Sequence, residues 1–161
     1  MSDELDAFSD SYAQDDDGGA QGLLQRALLV FQLGSEQYAV SAATVDAVIP
    51  WRDPIPLPRT SDYLAGVVQD RGRIVAILHD PLGRPKRDDS PRARIVICSS
   101  PWGFVGLPAT ATRVVGDVVV AAEPRSGRRI DSAEGPLTYI DLAPILEALR
   151  SDPQRGGLRV P

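Results

Sequence analysis

The chain has 161 residues, 43% of them hydrophobic and 24% charged, and a net charge of −5. Residues 1–20 hold seven acidic residues and no Lys or Arg, so the remaining 141 residues carry 15 acidic and 17 basic side chains, a net charge of +2. This charge excludes the strongly basic surface that nucleic-acid binding requires. No apolar run approaches the roughly 20 residues of a membrane-spanning helix, and no signal peptide is recognisable. We therefore expect one cytoplasmic domain, without direct membrane insertion, built from two small halves.

Cysteine and histidine each occur once, as Cys98 and His79. A single cysteine excludes an internal disulfide and a cysteine-based zinc cluster, and its position inside an apolar run predicts an inert core residue. No carboxylates cluster at ligand spacing outside the acidic N-terminus, and no glycine-rich loop opens a helix. The sequence therefore predicts no metal, no cofactor and no catalytic residue. One enzymatic hypothesis stays open: a small enzyme or ligand-binding barrel that brings His79, Asp80 and Arg71 together in a polar cavity.

Composition divides the chain into three parts. Residues 1–22 predict a disordered acidic tail, residues 23–150 a folded domain, and residues 151–161 a loose C-terminal tail. Within the folded part, the charged and proline-bearing loop 81–91 predicts a linker between two halves. Residues 50–60 contain four prolines and predict an extended connection, in which Trp51 covers the edge of the core.

The most informative strand pattern is a hairpin with a charged tip. Two apolar arms, residues 67–68 and 74–78, flank a short polar break. Gly72 stands in this break, where a chain reversal favours a residue that tolerates positive φ. Asp70, Arg71 and Arg73 surround the glycine. The pattern predicts a β-hairpin whose arms are mostly buried.

Further strands precede and follow this hairpin. They are predicted over residues 26–33, 38–40, 45–49, 94–98, 104–107, 113–115, 118–120 and 137–140. Gly116-Asp117 is predicted to be a two-residue turn, and residues 123–136 a polar loop. Asp141 is predicted to cap a closing helix over residues 142–149, whose apolar side chains share one face. About nine short strands favour a barrel or a sandwich, and the lack of βαβ alternation excludes a Rossmann-type nucleotide site.

Six segments, in this order, resemble the CheW-like domain of chemotaxis coupling proteins. They are residues 29–40, 45–49, 57–68, 69–72, 95–115 and 137–142. The resemblance runs from about Ala27 to Leu149, which is nearly all of the folded part. The hairpin tip Gln69-Asp70-Arg71-Gly72 is similar to the family's Asn-Leu-Arg-Gly tip, with Arg-Gly kept and the first two positions changed.

The resemblance implies an all-β fold of two small five-stranded SH3-like β-barrels around a shared core, with a short C-terminal helix. It implies a non-catalytic scaffold in chemotaxis or motility signalling, in the cytoplasm and at receptor arrays. The implied partners are the signalling tip of a methyl-accepting chemoreceptor and the regulatory domain of a CheA-type histidine kinase. By match, the residues linked to partner contact are Val45, Ala47, Gly66, Arg71, Gly72, Gly106 and Val115. All of them except Gly66 and Gly106 fall in the region that the family resemblance links to receptor contact. Arg71 is then either a polar contact to the receptor or a brace for an apolar groove.

The sequence also departs from the family pattern. Ala47 stands where the family often has glutamate, Ala76 stands where it usually has proline, and the loop over residues 121–136 is shorter than usual. The shorter loop favours a second hypothesis, a divergent CheW-like adaptor that retains only one partner, receptor or kinase, in a motility or developmental pathway.

Overall fold

The structure is a computed structural model that describes residues 24–58, 62–86, 89–120, 126–132 and 135–151. These described residues contain ten β-strands and one α-helix. The elements are β1 (Leu24–Leu33), β2 (Glu36–Ser41), β3 (Val45–Pro50), β4 (Leu64–Asp70), β5 (Arg73–Leu78), β6 (Arg94–Ser100), β7 (Gly103–Ala109), β8 (Ala111–Val120), β9 (Arg129–Ser132), β10 (Gly135–Ile140) and α1 (Leu142–Ser151). A single 3-10 turn, Ala42–Thr44, separates β2 from β3. The predicted acidic tail, and all of the predicted C-terminal tail except Ser151, lie outside the described residues.

The strands form two five-stranded sheets with the same pattern of pairing. Sheet 1 has the order β8-β1-β2-β10-β9, and sheet 2 has the order β3-β6-β7-β5-β4. Each sheet contains one parallel pair, β2 with β10 and β7 with β5, and its other pairs are antiparallel. Sheet 2 comes from one continuous stretch of chain, whereas sheet 1 combines strands that precede and follow that stretch. The prediction of two five-stranded units is confirmed.

The loop over residues 81–91 joins β5 to β6, and both strands belong to sheet 2. The prediction that this loop links the two halves is therefore wrong. Prolines and charges mark a solvated loop, but they do not reveal which strands the loop connects. The chain passes between the sheets instead at the 3-10 turn Ala42–Thr44 and at Thr110, between β7 and β8.

Three groups of buried side chains form the core. The shared group takes side chains from both sheets and from α1, including Leu29, Val96 and Leu146. A second group, with Leu28, lies on sheet 1 alone, and a third, with Ile95, lies on sheet 2 alone. Successive side chains of a strand point to opposite faces, so neighbouring residues of β1 and of β6 enter different groups. Burial on both faces explains the continuous apolar runs of these strands.

Two residues that the sequence assigns to packing have that role in the structure. Cys98 is fully buried in the shared group, and burial raises the pKa of its thiol to about 12. Trp51 packs against the core group of sheet 2, and its indole N–H donates to Asp53 Oδ1 at 3.1 Å. The predictions of an inert cysteine and of a tryptophan covering the core edge are both confirmed.

Gly116 and Asp117 lie inside β8 and do not form the predicted turn. Val118 pairs with Arg26 and Val115 pairs with Leu28, so two residues of β8 lie opposite one residue of β1. This arrangement is a β-bulge. A glycine within a strand pattern can mark a turn or a bulge, and pairing along the ten-residue strand β1 makes it a bulge here.

Strand β9 lies within residues 123–136, which the sequence predicted to be a polar loop. It pairs with β10, and Ile130 is buried opposite Leu137. One apolar residue among polar neighbours is too weak a pattern to predict a four-residue strand. The strand therefore depends on its pairing with β10.

Helix α1 closes the shared core as predicted. The backbone N–H of Ala143 donates to Asp141 Oδ1 at 3.4 Å, which is a capping contact. The buried residues of the helix are Leu142, Leu146 and Leu149. The loop after β5 packs closely beneath it, because a Cβ atom at Gly83 would lie 2.7 Å from Ile145 Cγ2. Among the described residues, no helix is long and apolar enough to cross a membrane.

Candidate partner-binding surface

The β4–β5 hairpin ends in a two-residue turn, Arg71-Gly72. Asp70 and Arg73 pair directly, so the turn is tighter than the predicted polar break. The φ angles are 51° at Arg71 and 76° at Gly72, both in the left-handed region that a type I′ turn requires. Arg71 is the one residue other than glycine with a positive φ in the described ranges. The sequence therefore places an arginine where asparagine or glycine is the usual choice.

The side chain of Arg71 projects into solvent. It is 69% exposed, and its Nε atom lies 3.9 Å from Asp70 Oδ2. An exposed ion pair of this length contributes little to stability. Of the two roles that the family resemblance left open for Arg71, this geometry favours the polar contact over the brace.

Arg73, which follows the turn, is held by three groups. Its Nη2 atom donates to Asp46 Oδ2 of β3 at 2.6 Å and lies 3.4 Å from Asp70 Oδ2. The guanidinium carbon lies 4.1 Å from the centroid of the Phe104 ring. The hydrogen bond from Arg73 lowers the pKa of Asp46. Arg73 is thus the brace of the hairpin tip.

The contact between Arg73 and Asp46 joins the tip to β3, although β3 and β5 are not neighbours in sheet 2. Val45 and Ala47 of β3 are both half-buried. The contact thus connects their strand with the turn that carries Arg71 and Gly72. Sequence reasoning missed Asp46 because a charged residue in an alternating strand usually faces solvent. No local signal relates it to a residue 27 positions later.

Exposed apolar side chains occur on both sheets. Val48 of β3 is 37% exposed and Ile74 of β5 is 49% exposed, and both belong to sheet 2. Val114 of β8, in sheet 1, is 76% exposed. The predicted site residue Val115 adjoins it, half-buried against the core group of sheet 1. The structure therefore places Val115 on a different sheet from the other predicted contact residues.

Gly66 and Gly106 are buried, and neither offers a side-chain surface to a partner. At Gly66, where φ is 145°, a Cβ atom would meet the backbone carbonyl of Ile55, with the carbonyl carbon at 2.7 Å. At Gly106 it would lie 2.7 Å from Ile95 Cγ2 and still closer to Ile77 Cδ1. Both glycines permit close approach inside sheet 2. This packing gives them a structural role, and their part in partner contact stays a prediction.

A separate polar cluster lies where the two sheets meet. Asp80, which follows β5, is 3% exposed. Its carboxylate accepts hydrogen bonds from Arg84 Nε at 2.8 Å, from Arg84 Nη2 at 3.1 Å and from the backbone N–H of Leu82 at 2.9 Å. Arg84 Nη2 also donates to the Tyr38 hydroxyl at 3.0 Å, and that hydroxyl donates to Glu36. The cluster therefore ties β2 of sheet 1 to the loop that follows β5 in sheet 2.

A cavity of about 210 Å³ adjoins this cluster and includes His79, Asp80 and Arg92 in its lining. Burial lowers the pKa of His79, and the charges of Arg92 and Lys86 lower it further. Arg71 precedes β5 and His79 follows it, so the two lie at opposite ends of that strand. The structure does not form the joint His79, Asp80 and Arg71 site of the enzymatic hypothesis. Among the described residues, no three His, Cys, Asp or Glu side chains are grouped to hold a metal.

Comparison with known sequences identifies relatives of this chain. The model of the CheW-like domain family matches residues 27–129. The chemotaxis protein CheW of Bacillus subtilis (strain 168) is 28% identical over 72 residues, which are 44% of this chain and 46% of that protein. The probable chemotaxis protein CheW of Rhizobium etli is 26% identical over 100 residues, 61% of this chain and 63% of that protein. The chain thus spans from about half to just under two thirds of the length of these curated relatives.

A solved structure shares the fold. The crystal structure of the scaffolding protein TtCheW from Thermoanaerobacter tengcongensis matches with a TM-score of 0.61 and 20% sequence identity. The match covers 76% of this chain and 88% of that one. A likeness at this identity bears on the fold alone. It confirms the predicted class, two five-stranded SH3-like subdomains around a shared core.

Proposed function

Because this chain belongs to the CheW-like domain family, we propose that it is a non-catalytic adaptor that couples methyl-accepting chemoreceptors to a CheA-type histidine kinase. Two curated relatives are named as chemotaxis proteins, which supports a role in chemotaxis signalling. An adaptor needs separate surfaces for its two partners. This function places the protein in the cytoplasm, at receptor arrays.

The observation that carries the proposal is the exposed Arg71 on a strained turn. A left-handed conformation costs an ordinary L-residue roughly 1–2 kcal/mol, and strain of this kind concentrates at functional sites. The guanidinium offers five donors to a polar group of a receptor helix. Ile74, 49% exposed on the adjacent strand, supplies apolar surface beside it. We assign this end of sheet 2 to the receptor.

Sheet 1 offers the second surface. Val114 is exposed and Val115 is half-buried on the edge strand β8. The family resemblance linked Val115 to receptor contact, but it lies on a different sheet from Arg71, so we assign this edge to the kinase regulatory domain. The segment over residues 121–136, which the sequence predicts to be a shortened loop, contains β9 and the start of β10. Sheet 1 therefore has five strands. The shortened loop therefore removes no strand from sheet 1, and we prefer the adaptor with two partners over the adaptor with one.

Replacing Arg71 with asparagine should weaken binding of a receptor signalling-tip fragment about tenfold, a typical loss for an interface contact residue. Asn-Gly is a preferred pair for a type I′ turn, so the variant should keep or slightly raise the Tm. Titration calorimetry with the receptor fragment measures the first effect, and thermal denaturation measures the second.

Arg128→Asn is the matched control, because Arg128 is exposed on the loop before β9 of sheet 1. It should leave receptor binding unchanged. If Arg71→Asn lowered stability as much as binding, Arg71 would be a structural residue. Wild-type titrations against the kinase regulatory domain complete the test. Binding to both partners supports the proposal, binding to one identifies the one-partner adaptor, and binding to neither contradicts both.

A further inference from the structure

The brace of the hairpin tip spans two strands that do not pair. Arg73 begins β5 and Asp46 lies in β3, at the far edge of sheet 2. Their side chains meet at 2.6 Å, while the Phe104 ring lies against the guanidinium. The Arg73 side chain is 27% exposed and that of Asp46 is 29% exposed, against 69% for Arg71. The two arginines that flank Gly72 therefore differ. Arg73 is fixed by its contacts with Asp46 and Phe104, whereas the side chain of Arg71 is exposed to a partner.

The held arginine lacks an ideal set of hydrogen bonds. Its Nε atom is buried and has no hydrogen-bond partner among the described residues. A buried donor without a partner is unfavourable and calls for a physical reason. Asp46 supplies that reason, because its short charge-assisted bond to Nη2 fixes the guanidinium in this orientation.

Asp70 connects the two arginines. Its Oδ2 atom lies 3.4 Å from Arg73 Nη2 and 3.9 Å from Arg71 Nε, so both cations share one oxygen. Its Oδ1 atom lies 3.5 Å from Arg52 Nη2. If Asp46 lost its charge, Asp70 would be the nearest anion left to Arg73, which would then compete with Arg71 for that oxygen.

We propose that Asp46 and Arg73 are positioning residues for partner binding, which act by leaving Asp70 to orient Arg71. This inference rests on the proposed function, in which Arg71 contacts the receptor. Asp46 draws Arg73 toward β3, and Asp70 then limits the directions in which the Arg71 guanidinium points. We call this arrangement of Asp46, Arg73 and Asp70 the Asp46–Arg73 lock. It orients the Arg71 side chain before binding, so Arg71 loses less conformational freedom when the partner binds.

The test is a double-mutant cycle with Asp46→Asn and Arg71→Asn, measured as the Kd for the receptor signalling-tip fragment. Asp46→Asn preserves the shape of the side chain and removes its charge. We expect it to weaken binding about three- to tenfold in the wild-type background and to have no further effect in the Arg71→Asn background. Asp46→Glu should restore most of the affinity. Asp131→Asn, at an exposed aspartate of β9, is the control and should leave the Kd unchanged.

A second readout does not depend on binding. The backbone order parameter of Gly72, measured by NMR relaxation, should be near 0.85 in the wild type and should fall toward about 0.6 in Asp46→Asn. An unchanged order parameter, or an equal loss of affinity in both backgrounds of the cycle, would overturn the positioning role. If the wild type did not bind the receptor fragment, the proposed function would fail, and the order parameter alone would decide whether the lock exists.

Discussion

Gly66→Ala is expected to destabilise the fold by roughly 2–6 kcal/mol, from backbone strain of about 1–3 kcal/mol and overpacking of similar size. The φ of 145° is unfavourable for alanine, and the new Cβ would meet the backbone of Ile55. Ile55 cannot move aside freely, because it exchanges two backbone hydrogen bonds with Val67, at 2.8 and 3.0 Å. Urea denaturation of the wild type and the variant measures the loss.

Gly72→Ala is the matched control in the same hairpin. Its φ of 76° is also positive, but a Cβ atom there would meet nothing within 4 Å. We expect it to destabilise by only about 1 kcal/mol, the cost of the left-handed conformation. Similar losses in the two variants would show that the segment before β4 yields to an added methyl group. The close approach at Gly66 would then not be a structural constraint.

Asp80→Ala should destabilise the protein by roughly 1–3 kcal/mol, the cost of leaving hydrogen-bonding groups without their buried acceptor. Asp80 is 3% exposed and accepts three hydrogen bonds, two of them from Arg84. Without the carboxylate, the Arg84 guanidinium stays at the sheet junction with fewer acceptors. Chemical denaturation measures the free energy of unfolding.

Two further variants test how far the loss of stability in this cluster depends on the burial of the carboxylate and how far on the charge of Arg84. Glu36 also lies near Arg84, at 3.4 Å, but its side chain is 48% exposed, so Glu36→Gln should cost less than about 1 kcal/mol. A double variant, Asp80→Leu with Arg84→Met, should recover part of the loss, because it removes both charges together. A double variant less stable than Asp80→Ala would contradict the assignment of the loss to an Arg84 guanidinium that has lost its acceptor.

The Asp80 cluster also bears on the proposed adaptor. Sheet 2 carries the surface that we assign to the receptor, and sheet 1 carries the surface that we assign to the kinase. The cluster joins the sheets through Arg84 and Tyr38, beside the shared hydrophobic group. A rigid junction would let movement of one partner be transmitted to the other.

Local patterns in the sequence were enough to predict two of the hairpins and the closing helix. The Arg71-Gly72 turn, the β1–β2 hairpin and the apolar face of α1 are each specified by residues close together in the chain. The candidate site was predicted in part. Arg71 followed from the family resemblance and is exposed at the tip, whereas Asp46 and the bracing role of Arg73 did not follow from any local pattern.

The sequence by itself thus determined the strand-rich fold class, the main turns, the closing helix and the exposed arginine at the hairpin tip. Only the tertiary structure decided that Gly116 lies in a bulge, that the loop 81–91 stays within sheet 2, and that Gly66 and Gly106 are packed inside it. The physical reason is the same in each case. Turns and apolar periodicity arise from neighbouring residues, whereas bulges, sheet order, close backbone approach and the Asp46–Arg73 lock arise from strands that meet only after folding.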